Sequence, residues 1–243
     1  MAGRNRLIRM IMPVCAALVV GASTSAAPPI QPQPQYVLAA KPGLAIPPPG
    51  WAYLPELAVL GPADIYHVIN RAADDSGPAQ QMRAHTANNA GILTRDVSVP
   101  LTARMTLSWQ WKIDELPSKL PESIALQHDY FSIAVKFENG RDLTYMWSSS
   151  LLQNKGFDCP LAGWTGREYH VVVRPGSVGL GKWLAEKRNV AADYSRYIGG
   201  KPPGRIVQVW LIANTAIQHG EATASFGDIA IGRGLGSAPL AVF

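Results

Sequence analysis

Polar side chains able to bind or protonate a ligand recur at alternate positions within several apolar runs. His170 and Arg174 share a face of "YHVVVR". Lys112 follows Ser108 and Gln110 in "LSWQWKI". Tyr130 and Lys136 flank Ser132 and Ala134 in "DYFSIAVKF", and Gln208 interrupts "RIVQVWLIAN". On a strand, residues two apart point the same way. If these strands stack in one sheet, they present a face of amide, basic and phenolic groups. Such a face can hydrogen-bond a carbohydrate, and its lysines and arginine would favour uronic acids. The same residue types could serve a polysaccharide lyase or hydrolase. His170 or Tyr130 would be the base, and Arg174 or Gln208 would neutralise the uronate carboxylate. That use requires all four side chains to converge in one concave cleft. The plain alternative is a solvated outer face, which antiparallel sheets commonly have.

Cation chemistry has fewer candidates. Asp129, in the His128-Asp129 pair, and Asp228, in "FGDIAI", are of the right type for a structural cation, although a cap or an ion pair is the simpler expectation for each. Asp193 lies close enough to Arg188 in sequence to pair with it. Cys159 stands alone once Cys15 is set aside. No His or Asp is spaced to activate it, so a buried, inert thiol is expected. The chain has no His-Glu-x-x-His, no Cys-x-x-Cys, no Gly-x-Ser-x-Gly and no Glu-x-Asp-x-x-Glu run. No cofactor is therefore expected.

The aromatic residues need the elements that carry them. In "TLSWQWKID", Trp109 and Trp111 share a face with Leu107 and Ile113, which reads as core. In "KFENGRDLTYMW", Asn139-Gly140 marks a hairpin with two possible registers. A two-residue loop would set Tyr145 and Trp147 beside Ala134 and Ser132, as a platform for a sugar ring. A Glu-Asn-Gly loop with a glycine bulge would set Ile133 against Tyr145 and Phe131 against Trp147, placing the large apolar groups on one side. Binary patterning favours the bulge. Trp51, Trp164 and Trp183, near loops or strand ends, are the better candidates for a binding platform.

The alternating runs continue through "RMTLSWQWKI", "DLTYMWSS" and "ATASFGDIAIG", punctuated by Gly, Pro and Asn-Gly. They predict an all-β fold, a two-sheet antiparallel jelly-roll β-sandwich. Two short helices are expected, over Pro62 to Arg71 and over "NVAADYSRYIGG", the latter capped by Asn189 and ended at Gly199. Charged residues make up 16 % of the 243 and hydrophobic ones 47 %, which argues against disorder. Arg4, Arg6 and Arg9 precede the apolar run from Met10 to Ala22, and small residues follow, which is the pattern of a secretory signal peptide over 1–26. Its removal would lower the formal net charge from +5 to +2 (+5 minus the three arginines). Nucleic-acid binding by charge alone is therefore not expected, nor is a transmembrane segment in the mature chain. Residues 27–50 read as a proline-rich tether, 51–232 as the sandwich and 233–243 as a loose tail.

Several of these segments resemble an uncharacterised bacterial exported family, the "domain of unknown function" family numbered 3047. The carriers are "LSWQWKI", "HDYFSIAVKF", "LTYMW", "GKWLAEKRNVAADYSRYIGGKPP" and "VQVWLIANT…ASFGDIAI". The family tends to be more acidic before the third strand and after the "VWLI" strand; Asp129 and Asp228 are the acidic positions that match. The resemblance implies an exported jelly-roll sandwich similar to galactose-binding or concanavalin-like domains, and implies no activity. The expectation is an exported, periplasmic or extracellular, non-catalytic module for carbohydrate or cell-envelope polymer. The alternatives are a glycan-cleaving enzyme, or an envelope protein that binds other proteins.

Overall fold

The computed structural model describes residues 46–54, 65–232 and 238–243, all within the compact unit Gln35–Phe243. The expected signal peptide and nearly all of the tether lie outside these residues. Among the described residues, thirteen strands form two sheets packed as a jelly-roll β-sandwich. The first sheet has the order β1 (Ala52–Tyr53), β4 (Ala90–Pro100), β11 (Arg205–Asn214), β6 (Tyr130–Phe137), β7 (Asp142–Ser148), β9 (Glu168–Pro175) and β8 (Gly156–Asp158). The second has the order β10 (Leu184–Asn189), β5 (Thr106–Ile113), β12 (Glu221–Gly232), β3 (Gln80–Ala87) and β2 (Tyr66–Asn70), with β13 (Leu240–Ala241) also paired to β12. No helix among the described residues is long and apolar enough to cross a membrane.

The β6–β7 hairpin takes the bulged register. Phe137 N–H donates to the Arg141 carbonyl at 2.8 Å, and Gly140 N–H to the Phe137 carbonyl at 3.0 Å. Gly140 adopts φ +82°, a left-handed conformation that costs a glycine little. Phe131 then pairs with Trp147 and Ile133 with Tyr145. All four point at the second sheet. There Trp109 stacks on Tyr145 with centroids 5.6 Å apart, and Trp111 meets Trp147 at 5.5 Å. Alternation buries the apolar side of β5 completely, so Trp109 and Trp111 are core. The rims of this aromatic layer are tied by polar bonds. Tyr145 Oη donates to Asp193 Oδ2 at 3.0 Å, and Trp147 Nε1 to the Gly176 carbonyl at 2.7 Å.

Four details differ from the sequence expectation. Among the described residues, all strand pairs are antiparallel except β7 with β9, which run parallel. The segment from Tyr66 is strand, not helix: Tyr66 to Asn70 pair with β3, where β-branched Val68 and Ile69 suit an extended backbone. The described end of the tail is ordered, because Val242 is buried and Ile229 N–H donates to the Phe243 carbonyl at 2.7 Å. Most consequential, the face of the first sheet that points away from the second sheet is not wet. Tyr130, Ala134, Met146, Val172, Trp210 and Ile212 form a second buried layer there, covered in part by Leu54, Leu151, Phe157 and Trp164. The expected short helix does form: α1 (Val190–Asp193) begins under the Asn189 side chain, which accepts from Ala192 N–H at 2.9 Å, and a wider turn carries it to Gly199 at φ +74°.

The hairpin gives a direct test. A methyl added at Gly140 meets nothing within 4 Å, so Gly140→Ala is penalised by backbone conformation alone. It is expected to cost about 1–2 kcal/mol in urea unfolding. Gly163→Ala, also in open space and without a positive φ, is expected to change stability by less than about 0.5 kcal/mol.

Candidate functional site

Pairing, not the strand pattern, decides where the predicted polar residues go. Lys112 lies on β5 and belongs to the second sheet, because β5 pairs with β10 and β12 and not with β6. Tyr130, Lys136, His170, Arg174 and Gln208 belong to the first sheet. Even there they do not share one open face. An extra residue in β9 shifts its register against β7, so Met146 pairs with Val172 but Trp147 with Arg174. Alternation restarts at that bulge. His170 points outward, whereas Arg174 turns inward and donates from Nε to Glu186 Oε1 on β10 at 2.5 Å. Gln208 donates to Asp96 Oδ1 and accepts from Trp210 Nε1, both at 2.8 Å. Lys136 lies over the Trp210 ring at 5.0 Å. Tyr145 and Trp147 are fully buried in the bulged register and offer no ring face to a ligand. Trp51 is also core. Tyr130 and His170 meet in the buried outward layer with ring centroids 5.0 Å apart, but Arg174 and Gln208 lie elsewhere, so the four side chains that a lyase would need do not share one cleft.

The two candidate cation residues, Asp129 and Asp228, each already serve hydrogen bonds within the fold. Both Asp129 oxygens accept backbone N–H groups, from Ile217 at 3.0 Å and Gln218 at 2.7 Å. Asp228 sits in a bulge of β12 in the other sheet at φ +48°, where it accepts from Gln110 Nε2 at 2.6 Å. Arg188 and Asp193 form the expected ion pair, with two bonds of 2.8 Å.

Two other places carry concentrated chemistry. The first is the buried outward layer of the first sheet. His128, Cys159, Glu168 and His170 meet there, all buried, with one donor atom of each inside a 4.8 Å span. Glu168 and His170 are two apart on β9 and share its outward face. His128 comes from the turn before β6. Cys159 comes from the segment that leaves β7, crosses to the sheet edge as β8 and returns as β9. The parallel β7–β9 pair requires such an excursion. His128 Nδ1 lies 2.5 Å from the Glu122 carbonyl oxygen. Glu122 is itself fixed to the end of β7, accepting from Ser148 Oγ at 2.5 Å and Ser149 N–H at 2.7 Å. Thr144 Oγ1 donates to Glu168 Oε1 at 2.9 Å, and Tyr130 Oη to the same oxygen at 3.3 Å.

The electrostatics follow from burial. Burial and the neighbouring His170 lower the His128 pKa to about 3. Burial pushes the Glu168 carboxyl up, but His170, His128 and the Thr144 hydroxyl pull harder, and its pKa falls to about 2. Asp142 is the register partner of Glu168, and both its oxygens lack a hydrogen bond. Burial, then the Glu168 charge, raise its pKa to about 8 against the pull of Lys136 and Arg167. Burial pushes the Cys159 thiol well above its ordinary value.

The second place is an open cleft of about 600 Å³ beside the second sheet, lined by Asp74, Asp75, Ser76, Lys112, Lys182 and Trp183 among others. Its indole is clamped. Trp183 Nε1 donates to Asp75 Oδ1 at 2.7 Å, and Lys112 Nζ lies 5.8 Å from the ring centroid. Gly77 packs so close that a Cβ there would fall 2.1 Å from indole atoms. Asp75 also accepts from Gln81 Nε2 at 2.7 Å and Gly77 N–H at 2.9 Å; those bonds hold its carboxyl below the usual range.

A family model described as "Protein of unknown function (DUF3047)" matches residues 66–230. The chain belongs to this family. That stretch of the family domain holds every residue of the buried cluster and of the clamped indole. No curated protein matches the chain. Solved structures with a similar arrangement include the xyloglucanase domain of NopAA, a type three effector from Sinorhizobium fredii, in complex with cellobiose. It has 9 % identity over 71 % of this chain and 96 % of that one, at TM-score 0.42. The module TmCBM61 in complex with beta-1,4-galactotriose has 11 % identity over 76 % and 88 %, at TM-score 0.36. The native family 12 xyloglucanase from Bacillus licheniformis has 6 % identity over 68 % and 90 %, at TM-score 0.36.

Sequence reasoning missed the buried cluster because its members are scattered from position 128 to 170 and fit no motif. The one available signal was Glu168-x-His170, an acid and an imidazole on the same strand face. Two tests follow. Asp129→Ala leaves two N–H groups without their acceptor and is expected to cost about 2–4 kcal/mol. The matching readout is faster hydrogen exchange at the Ile217 and Gln218 amides. Asp142 keeps its proton in the folded state up to about pH 8, whereas the unfolded chain releases it near its ordinary value of 3.8. Its contribution to stability is therefore full below about pH 4 and is lost as pH rises through 8. Asp142→Asn is expected to flatten the fall in stability across that window, read as melting temperature against pH.

Proposed function

We propose that this protein is an exported, non-catalytic β-sandwich that binds a carbohydrate or cell-envelope polymer at the Trp183 cleft. The observation that carries the reading is the clamped indole. Asp75, Gly77 and Lys112 fix it before any ligand arrives, so little side-chain entropy is lost on binding. Sugar rings present C–H faces that pack on aromatic rings and hydroxyls that need polar partners. Asp74, Ser76 and Lys182 supply such partners around the ring. The volume falls within the range of roughly 300–1,000 Å³ usual for ligand sites. Lys112 and Lys182 would favour glycans bearing uronic acids, while Asp74 and Asp75 accept hydroxyl hydrogens. Of the residues expected from sequence to meet a glycan, Lys112 and the platform candidate Trp183 are at this cleft. The ring beside Lys112 is thus Trp183, not the core ring Trp147. Export rests on the leader pattern in residues 1–26.

Affinity electrophoresis through gels containing neutral or uronic-acid polysaccharides tests the reading, with polymer length checked afterwards. The protein is expected to be retarded with the polymer intact. Trp183→Ala should abolish retardation. Lys112→Ala should weaken it on uronic-acid gels more than on neutral ones. Gly77→Ala, which displaces the indole without touching its chemistry, should mimic Trp183→Ala. Retardation unchanged by Trp183→Ala would overturn the site, and shortened polymer would overturn the non-catalytic reading.

A further inference from the structure

We propose that His128, Cys159, Glu168 and His170 form a closed, four-ligand site for a divalent transition metal, zinc by donor preference. This goes beyond the glycan cleft and does not depend on it, since the cluster lies in the outward layer of the first sheet.

The geometry supports it first. Donor atoms around a tetrahedral zinc lie roughly 3.4 Å apart, given bonds of about 2.1 Å. Two edges already have that length. Cys159 Sγ is 3.5 Å from His128 Nε2, and His170 Nε2 is 3.6 Å from Glu168 Oε2. All four donors lie within 4.8 Å of one another, so closing the remaining edges takes side-chain movements of about 1 Å.

The surroundings orient the donors. His128 Nδ1 faces the Glu122 carbonyl and takes the proton there, which leaves the Nε2 lone pair on the Cys159 side. Thr144 and Tyr130 both donate to Glu168 Oε1, which leaves Oε2 facing His170. Outer partners of this kind fix the ring and carboxylate orientations of metal ligands.

An independent observation is His170. It is fully buried, Nδ1 has no hydrogen-bond partner, and Nε2 has only the Glu168 carboxylate at 3.6 Å, beyond hydrogen-bond distance. An orphaned imidazole in a dry layer is costly. A metal on Nε2 removes much of that cost. The charges also close: a thiolate and a carboxylate neutralise a divalent cation, so the filled site adds no net charge to the buried layer. Mixed sulfur, imidazole and carboxylate donors in four-fold array suit zinc better than magnesium or calcium. As the metal binds, the Cys159 S–H bond breaks, a metal–sulfur bond forms and the proton leaves to buffer. No electron is transferred. With no ligand position left open to solvent, the metal acts structurally and pins the β7–β9 excursion to the sheet.

The test uses the untagged full chain, reduced and stripped with a chelator, then titrated with cobalt(II) and separately with zinc. We expect one metal per chain, intense visible bands of four-coordinate cobalt, and a thiolate-to-cobalt charge-transfer band. Cys159→Ser should remove the charge-transfer band although Cys15 remains. Thr144→Val keeps every ligand and the fold, and should weaken zinc binding by about 10–100-fold. Wild-type protein that is folded by circular dichroism yet takes up no metal and shows no cobalt bands would overturn the proposal. So would bands unchanged by Cys159→Ser, which would place the metal elsewhere.

Discussion

The one-residue bulge at Gly140 sets what every other part of the first sheet can do. Side chains on paired strands alternate, so the loop length of the β6–β7 hairpin decides which of the residues in Tyr130–Phe137 and Asp142–Ser148 face the second sheet together. With the bulge, Phe131, Ile133, Tyr145 and Trp147 go inward and complete the aromatic layer with Trp109 and Trp111. Tyr130, Ser132, Thr144 and Met146 go outward by the same choice. The inner core and the chemistry of the outer layer are thus two sides of a single register.

The outer layer then imposes its own condition. A sheet buried on both faces cannot leave its polar side chains to water. Thr144, Glu168 and Tyr130 meet the condition by bonding one another, and Asp129 by accepting two backbone N–H groups. Asp142 meets it by holding a proton, since two carboxylates side by side on parallel strands do not both ionise readily in a dry layer. The cover that keeps the layer dry is largely the chain between β7 and β9. Parallel neighbours cannot be joined by a tight turn, so the topology demands a long connection, and this one is laid across the face that needs covering.

Much of the inner fold was legible in the sequence. Strict alternation in "TLSWQWKI" gave β5 and its buried tryptophans, Asn139-Gly140 gave the hairpin, and Asn189 with Gly199 bracketed the helical segment that opens with α1. Strands β2, β3 and β4 were less visible, because their apolar residues do not alternate cleanly. β3 and β4 are joined at Asn88, whose φ of +53° a non-glycine residue can adopt without announcing a turn. The sites were harder to read for two physical reasons. One bulge in β9 was enough to send Arg174 inward and His170 outward. And whether a polar strand face is wet or buried depends on what crosses over it, which is a property of loops. Lys136 and Gln208 therefore look alike in sequence to Thr144 and Glu168, though only the latter pair is sealed.

The way the first sheet ends has a bearing on life in a crowded compartment. Exposed strand borders are templates on which other chains can add. Here the longest ladders, between β4, β11, β6 and β7, are all interior, while the described flanking strands β1 and β8 are two and three residues long. On the second sheet, β10 occupies one border and carries Glu186, Lys187 and Arg188 in succession. At β8 and β10 a wandering strand therefore meets too few free backbone groups or a charged fringe, whereas the other border of the second sheet, β2, is five residues long and carries no Lys, Arg, Asp or Glu. Protection against self-recruitment into fibres is thus built into particular borders of the two sheets, while β2 is the described border that lacks it.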